Sequence, residues 1–125
     1  MPTRILIVDD HEIVRRGVRT LLTNNDSFEV CGEAQNGMEA VRMVAELSPD
    51  VVILDLSMPG MTGFETAAKI REIAPPIRII FFTIHEIPES AWWVGADACV
   101  SKSAAPEELA LAINRVLQRR GKLQH

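Results

Sequence analysis

Cysteine occurs only twice in this 125-residue chain, and tyrosine not at all. Cys31 and Cys99 lie far apart in apolar surroundings. That excludes a disulfide framework or a cysteine metal clip and predicts two buried thiols in a reducing compartment. Long apolar runs are missing too. Ile5 to Val8 and Val51 to Leu54 are about four residues each, far short of the roughly 20 that a membrane helix needs. The N-terminus reads Met1-Pro2-Thr3-Arg4 and then a strand, which is no signal peptide. Basic charge is in deficit: 13 Lys and Arg stand against 17 Asp and Glu, a formal net charge of −4. That balance argues against binding nucleic acid by bulk electrostatics. Repeats and low-complexity tracts are absent. What remains is 47% hydrophobic and 24% charged, the composition of one soluble, cytoplasmic globular domain with no membrane partner.

Short apolar runs alternate with amphipathic stretches. The runs are Ile5–Val8, Phe28–Cys31, Val51–Leu54, Ile77–Phe82 and the weaker Ala98–Val100. Most are rich in β-branched residues and lack two-residue polarity, as strands buried on both faces should. Helical periodicity fills the gaps: Val14, Val18, Leu21 and Leu22; then Val41, Val44 and Ala45; then Thr66 to Ile73; and finally Leu109, Ile113, Val116 and Leu117. Asn36-Gly37, Ser48-Pro49-Asp50, Ala74-Pro75-Pro76 and Gly95-Ala96 punctuate them. Pro106 with Glu107 and Glu108 opens the last helix. The pattern is a strand followed by a helix, five times. It predicts an α/β fold, a doubly wound five-stranded parallel sheet of the flavodoxin-like kind, (βα)5, with strand order 2-1-3-4-5.

Such sheets bind ligands at the carboxyl ends of their strands, near the switch point between the first and third. Asp9 and Asp10 follow the first strand, Asp55 the third, Thr83 the fourth, and Ser101-Lys102 the fifth. Helix capping would need one acid and not three. Carboxylates about 5 Å apart repel by roughly 3 kcal/mol per pair at an effective dielectric of 20. A cation or a proton must offset that charge. Oxygen donors without a histidine–cysteine set favour Mg²⁺ or Mn²⁺. Lys102 can pair with the acids and then with a phosphoryl oxygen, and Thr83 can donate its hydroxyl to the same oxygen. Metal, lysine and hydroxyl around an acceptor carboxylate make a device for phosphoryl transfer onto Asp55. No Walker A loop, dinucleotide fingerprint or Ser–His–Asp set competes with this reading.

These residues resemble the receiver domain of two-component response regulators across essentially the whole chain. The carrying segments are ILIVDDHEIVRRGV, AQNGMEAV, PDVVILDLSMPGMTGFE and GADACVSKS, with Thr83 after the fourth strand. DDHEIVRRGVRTLL and DLSMPGMTG are similar to receivers of the LuxR/NarL type. The resemblance implies that Asp55 is the phosphoacceptor, that Asp10 ligates Mg²⁺ directly and Asp9 through water, and that the backbone carbonyl of Ser57 completes the protein's share. It implies that Thr83 and Lys102 contact the phosphoryl group, which comes from a histidine kinase or a small donor. The output face would be the helix after the fourth strand, the fifth strand and the last helix. Catalysis would be confined to autocatalytic phosphotransfer and dephosphorylation. Two departures stand out: Cys99 occupies the usual aromatic switch position, and Ser103 replaces the frequent proline after the lysine. The stretch from Thr83 to Gly95 is also short by nearly a helical turn. A pseudo-receiver that binds partners without phosphorylation is one alternative. A Mg²⁺-dependent phosphohydrolase is another, but it needs an aspartate where Ser57 stands.

Residues 1–118 make the receiver domain. Residues 119–125 form a basic tail, Arg119-Arg120-Gly121-Lys122, read as the start of a linker to an absent effector domain. Direct nucleic-acid binding is expected only from that domain. Gly121 is a candidate helix stop. Arg15, Arg16 and Arg19 give the first helix a basic face, either solvated or docking a kinase. Trp92 and Trp93 are adjacent, one of them buried, or else an anchor for an effector domain or a homodimer partner. His85, two residues past Thr83, reads as an exposed loop residue, or else, as the resemblance implies, one that tunes dephosphorylation by positioning or blocking water. His11 reads as a helix-start residue. Gly63 and Met58-Pro59-Gly60 shape the loop after Asp55.

Overall fold

A computed structural model describes residues 1–84 and 95–123, with the side chains of 119–123 outside that description. Among the described residues, nine elements follow in order: β1 (Thr3–Val8), α1 (Glu12–Thr23), β2 (Phe28–Ala34), α2 (Gly37–Leu47), β3 (Val51–Leu54), α3 (Gly63–Ile73), β4 (Arg78–Thr83), β5 (Ala98–Ser101) and a C-terminal helix (Pro106–Leu123). The strands form one parallel sheet of order β2-β1-β3-β4-β5, the expected doubly wound topology. The predicted helix after the fourth strand, with His85, Trp92 and Trp93, lies outside the described residues.

The two-residue pleat sorts the apolar side chains onto two faces. Leu6, Val8, Val52, Leu54, Ile79 and Phe81 pack with Ala40 and Val44 of α2 and Ala67 and Ile70 of α3. Ile5, Ile7, Val51, Ile53 and Ile80 face Val18 and Leu22 of α1 and Leu109, Ile113 and Val116 of the C-terminal helix. Both faces are therefore covered, which is why the central strands are apolar from Ile5 to Val8, from Val51 to Leu54 and from Ile79 to Phe82. The edge strands are not. β2 and β5 carry half-buried residues, Cys31 and Cys99 among them. The two thiols are thus less buried than expected, because an edge strand has a neighbour on one side only.

Helix starts are locally specified. Asn36 accepts the backbone N–H of Glu39 at 2.8 Å and caps α2. Thr62 and Glu65 form a reciprocal capping box at α3, both bonds 3.1 Å. The C-terminal helix runs through Gly121 to Leu123, so that glycine does not stop it. At the opposite end of the sheet from the acids, Arg71 of α3 donates to the carbonyls of Pro75, Ile77 and Gly95 and to Asp97 Oδ2. One guanidinium thereby ties the end of α3 to the entries of β4 and β5. No helix of the described residues is long and apolar enough to cross a membrane.

Candidate functional site

Register places the acids. Val8 pairs with Leu54 at the ends of β1 and β3, so Asp9 and Asp55 leave the sheet side by side. The Asp55 backbone N–H continues the ladder to the Val8 carbonyl at 3.0 Å. On the far side, Thr83 pairs with Ser101, and the Lys102 N–H bonds to the Thr83 carbonyl at 2.8 Å. The sheet therefore delivers Asp9, Asp55, Thr83 and Lys102 to one rim, as the strand-end reading requires.

The side chains meet there. Lys102 Nζ lies 2.6 Å from Asp9 Oδ2 and 3.4 Å from Asp55 Oδ1. Asp9 and Asp55 are nearly sealed from solvent, at 2% and 4% exposure. Burial, joined by the neighbouring charge of Asp9, raises the Asp55 carboxyl above the ordinary range. Lys102 and the Ser57 N–H, 3.3 Å from Asp55 Oδ1, pull it the other way. Thr83 is fully buried at the end of β4. Ser57 is exposed in the loop after β3.

Asp9 and Asp10 are not equivalent. Asp9 Oδ1 accepts the His11 N–H at 2.9 Å, and Oδ2 takes Lys102, so both its oxygens are occupied by protein donors. Asp10 Oδ1 is buried and makes no hydrogen bond. His11 Nδ1 stands 3.1 Å from Oδ1 of both acids but meets hydrogen-bond geometry only with Asp9. A ring nitrogen carries one proton at most, which leaves Asp10 the acid with unmet need. His11 sits at the N-cap of α1 without a side-chain cap bond. Ligand atoms of Asp9, Asp10, His11 and Asp55 all lie within 4.8 Å of one another. Such a donor set, mostly carboxylate oxygen with one acceptor orphaned, suits a small hard cation.

The basic face of α1 is engaged rather than free. Arg15 and Arg19 both bond Glu33 of β2, and Arg16 pairs with Glu12. Arg15 also donates from Nη1 to the backbone carbonyl of Asp9 at 2.6 Å. No periodic pattern marks that bond, because it joins a helix side chain to a main-chain oxygen. No cis peptide occurs among the described residues, so the Lys102–Ser103 bond is trans.

Residues 5–114 match the sequence profile of the response regulator receiver domain. The chain belongs to that family. It is 40% identical over 115 residues to response regulator UvrY of Escherichia coli, covering 90% of this chain and 53% of that protein. With the nitrate/nitrite response regulator protein NarL of Escherichia coli it shares 38% over 117 residues, 91% of this chain and 54% of that one. This receiver therefore spans about half the length of the curated relatives it matches. A solved LuxR-family two-component response regulator from an Aurantimonas species superposes with a TM-score of 0.89 at 39% identity, over 94% of this chain and 86% of that one. The receiver is of the LuxR/NarL type, and its doubly wound sheet is the fold these neighbours share.

Proposed function

We propose that this receiver takes a phosphoryl group onto Asp55 and carries it as an acyl phosphate. The observation that supports it most is the ammonium of Lys102 bridging Asp9 and Asp55 on a buried rim. Asp55 is the nucleophile: a carboxylate oxygen attacks phosphorus, a P–O bond forms, and the bond to the donor's leaving atom breaks. The donor is a histidine kinase or a small acyl phosphate. Asp10, with its unbonded buried oxygen, is the direct ligand for Mg²⁺ (or Mn²⁺). Asp9, already bonded on both oxygens, acts through water. Asp55 and the Ser57 carbonyl complete the protein's share. Mg²⁺, when bound, supplies positive charge for the incoming phosphoryl oxygens. Lys102 and the Thr83 hydroxyl then hold those oxygens. Since Thr83 is buried, the arriving group must displace what covers it.

The chemistry is a stoichiometric switch and not multiple turnover. Residues 1–118 carry it, and residues 119–125 begin a linker to a DNA-binding effector domain. That domain would supply transcription control, as the match to half of each relative suggests. Homodimer formation on phosphorylation and a cytoplasmic setting fit this role, and the two free cysteines suit a reducing compartment.

The test is acetyl phosphate with Mg²⁺, read by intact mass. One added phosphate on the wild type and none on Asp55→Asn is the expected pair. Labelling that survives Asp55→Asn, or that needs no divalent metal, overturns the proposal.

A further inference from the structure

The rim is held from behind by a contact that takes no part in the chemistry just described. Arg15 lies one turn into α1, and helical side chains lean toward their own N-terminus. Its guanidinium therefore reaches back over the first turn to the loop that precedes the helix. There Nη1 donates to the Asp9 carbonyl at 2.6 Å, while Nε donates to Glu33 Oε1 at 3.2 Å. The other oxygen of Glu33 takes Arg19 Nε at 2.6 Å. Arg15 is mostly covered, with a side-chain exposure of 14% against 44% for Arg19.

We propose that Arg15, braced by Glu33, is a positioning residue that fixes the Asp9–Asp10 peptide and with it the direction in which Asp10 presents its carboxylate. The Asp9 N–H is pinned to the Ala34 carbonyl of β2 at 3.1 Å. The Asp9 carbonyl lies past the last rung between β1 and β3, and Arg15 provides its bond. Main chain held on both sides of Asp9 leaves the next residue little freedom. The next residue is Asp10, whose buried Oδ1 is the open oxygen of the cluster. A planar fork suits this task because one nitrogen grips the carbonyl while another grips Glu33. A lysine ammonium is a point charge on a flexible stem and cannot brace itself in that way. The inference rests on the reading of Asp10 as a cation ligand.

Charge and geometry predict opposite signs, which makes the test decisive. Removing a positive charge beside an acidic site tightens cation binding if charge is all that matters. Loss of the brace loosens it. Mg²⁺ binding is measured by calorimetry on the wild type, Arg15→Met, Arg15→Lys and Arg19→Met. Positioning predicts about tenfold weaker binding for Arg15→Met, a smaller loss for Arg15→Lys, and none for Arg19→Met, which gives up the same charge. Unchanged or tighter binding by Arg15→Met refutes the inference. Amide hydrogen exchange in EDTA gives a second readout without metal. Exchange at His11 should quicken in Arg15→Met and stay as in the wild type for Arg19→Met. A wild type that takes up no Mg²⁺ sinks the reading of the site itself, and the exchange measurement then decides the brace alone. Urea unfolding confirms that each variant is folded before its binding is compared.

Discussion

Lys102 lies closer to Asp9 than to Asp55, at 2.6 Å against 3.4 Å. Its ammonium is the one basic side chain in ion-pair contact with Asp55 among the described residues. The charge that would meet a phosphoryl group in the proposed reaction is thus held on a neighbouring acid. Its aliphatic stem lines an apolar groove of about 310 Å³ with Val14, Val18, Leu21 and Leu109. The head stays fixed while the stem is packed, the arrangement expected of a long cationic side chain at a strand end.

Lys102→Ala leaves two buried carboxylates without their ammonium. Breaking one side of such a cluster costs about 3 kcal/mol, and urea unfolding in EDTA at pH 7 should show that loss. Saturating Mg²⁺ should restore part of it, because a divalent cation takes over the lost compensation. The variant should bind Mg²⁺ more tightly than the wild type and yet accept no phosphate. An Ala variant as stable as the wild type in EDTA would mean that the lysine offsets nothing.

The raised Asp55 carboxyl sets the sign of a pH effect. The folded protein holds this proton to higher pH than the unfolded chain, which releases it near the ordinary value of about 4. The stability contributed by the protonated group is full below that value and is lost as pH rises through the folded pKa. Asp55→Asn mimics the protonated form at every pH. In EDTA the variant should therefore gain on the wild type between pH 4 and the raised folded value, then run parallel above it. Carboxylates remote from Asp55 titrate alike in both proteins and cancel in the difference, while Asp9, which feels the Asp55 charge, does not. A gap that shrinks with rising pH contradicts the assignment.

The sheet was legible because burial on both faces writes itself into β1, β3 and β4 as the apolar runs Ile5–Val8, Val51–Leu54 and Ile79–Phe82. Asp9, Asp55, Thr83 and Lys102 were legible because each follows such a run and parallel strands end on one rim. The edge strands read less clearly, and β2 extends three residues beyond Cys31, to Ala34, with Glu33 among them. The T-x-x-E box of Thr62 and Glu65 was readable as a helix start and was missed. The braces at Arg15 and Arg71 left no trace, since each joins a main-chain oxygen to a side chain that also reaches a partner distant in sequence, Glu33 for Arg15 and Gly95 for Arg71. Long-range partners of that kind follow from three-dimensional placement and not from any period.

Both thiols should be inert in the folded state. Burial pushes Cys99 up to about 11 and raises Cys31 as well. Cys31 also donates its S–H to the Ile5 carbonyl at 3.4 Å. The thiolate is the reactive form, so at pH 8 Cys99 should react at least about a hundredfold more slowly with Ellman's reagent than the unfolded chain does. Fast stoichiometric modification of native protein at pH 8 would show that Cys99 is not protected by its surroundings.

Two glycine substitutions of the same chemistry should act in opposite directions. A Cβ on Gly63 would stand 2.4 Å from the Asp55 carbonyl oxygen and 2.5 Å from Leu56 Cα. Both are main-chain atoms and cannot rotate aside. Gly63→Ala must push the start of α3 away from the acceptor strand, at a cost of about 2–3 kcal/mol. It should also slow phosphorylation by displacing Asp55. A Cβ on Gly17, in the middle of α1, meets nothing within 4 Å. Gly17→Ala therefore gains helix propensity of about 1 kcal/mol, which corresponds to roughly 4 °C in Tm for a domain of this size. Calorimetry on both variants reads the two signs together. A destabilised Gly17→Ala would mean that the open space beside α1 is filled in solution, and an unaffected Gly63→Ala would mean that α3 does not need its close approach to the acceptor loop.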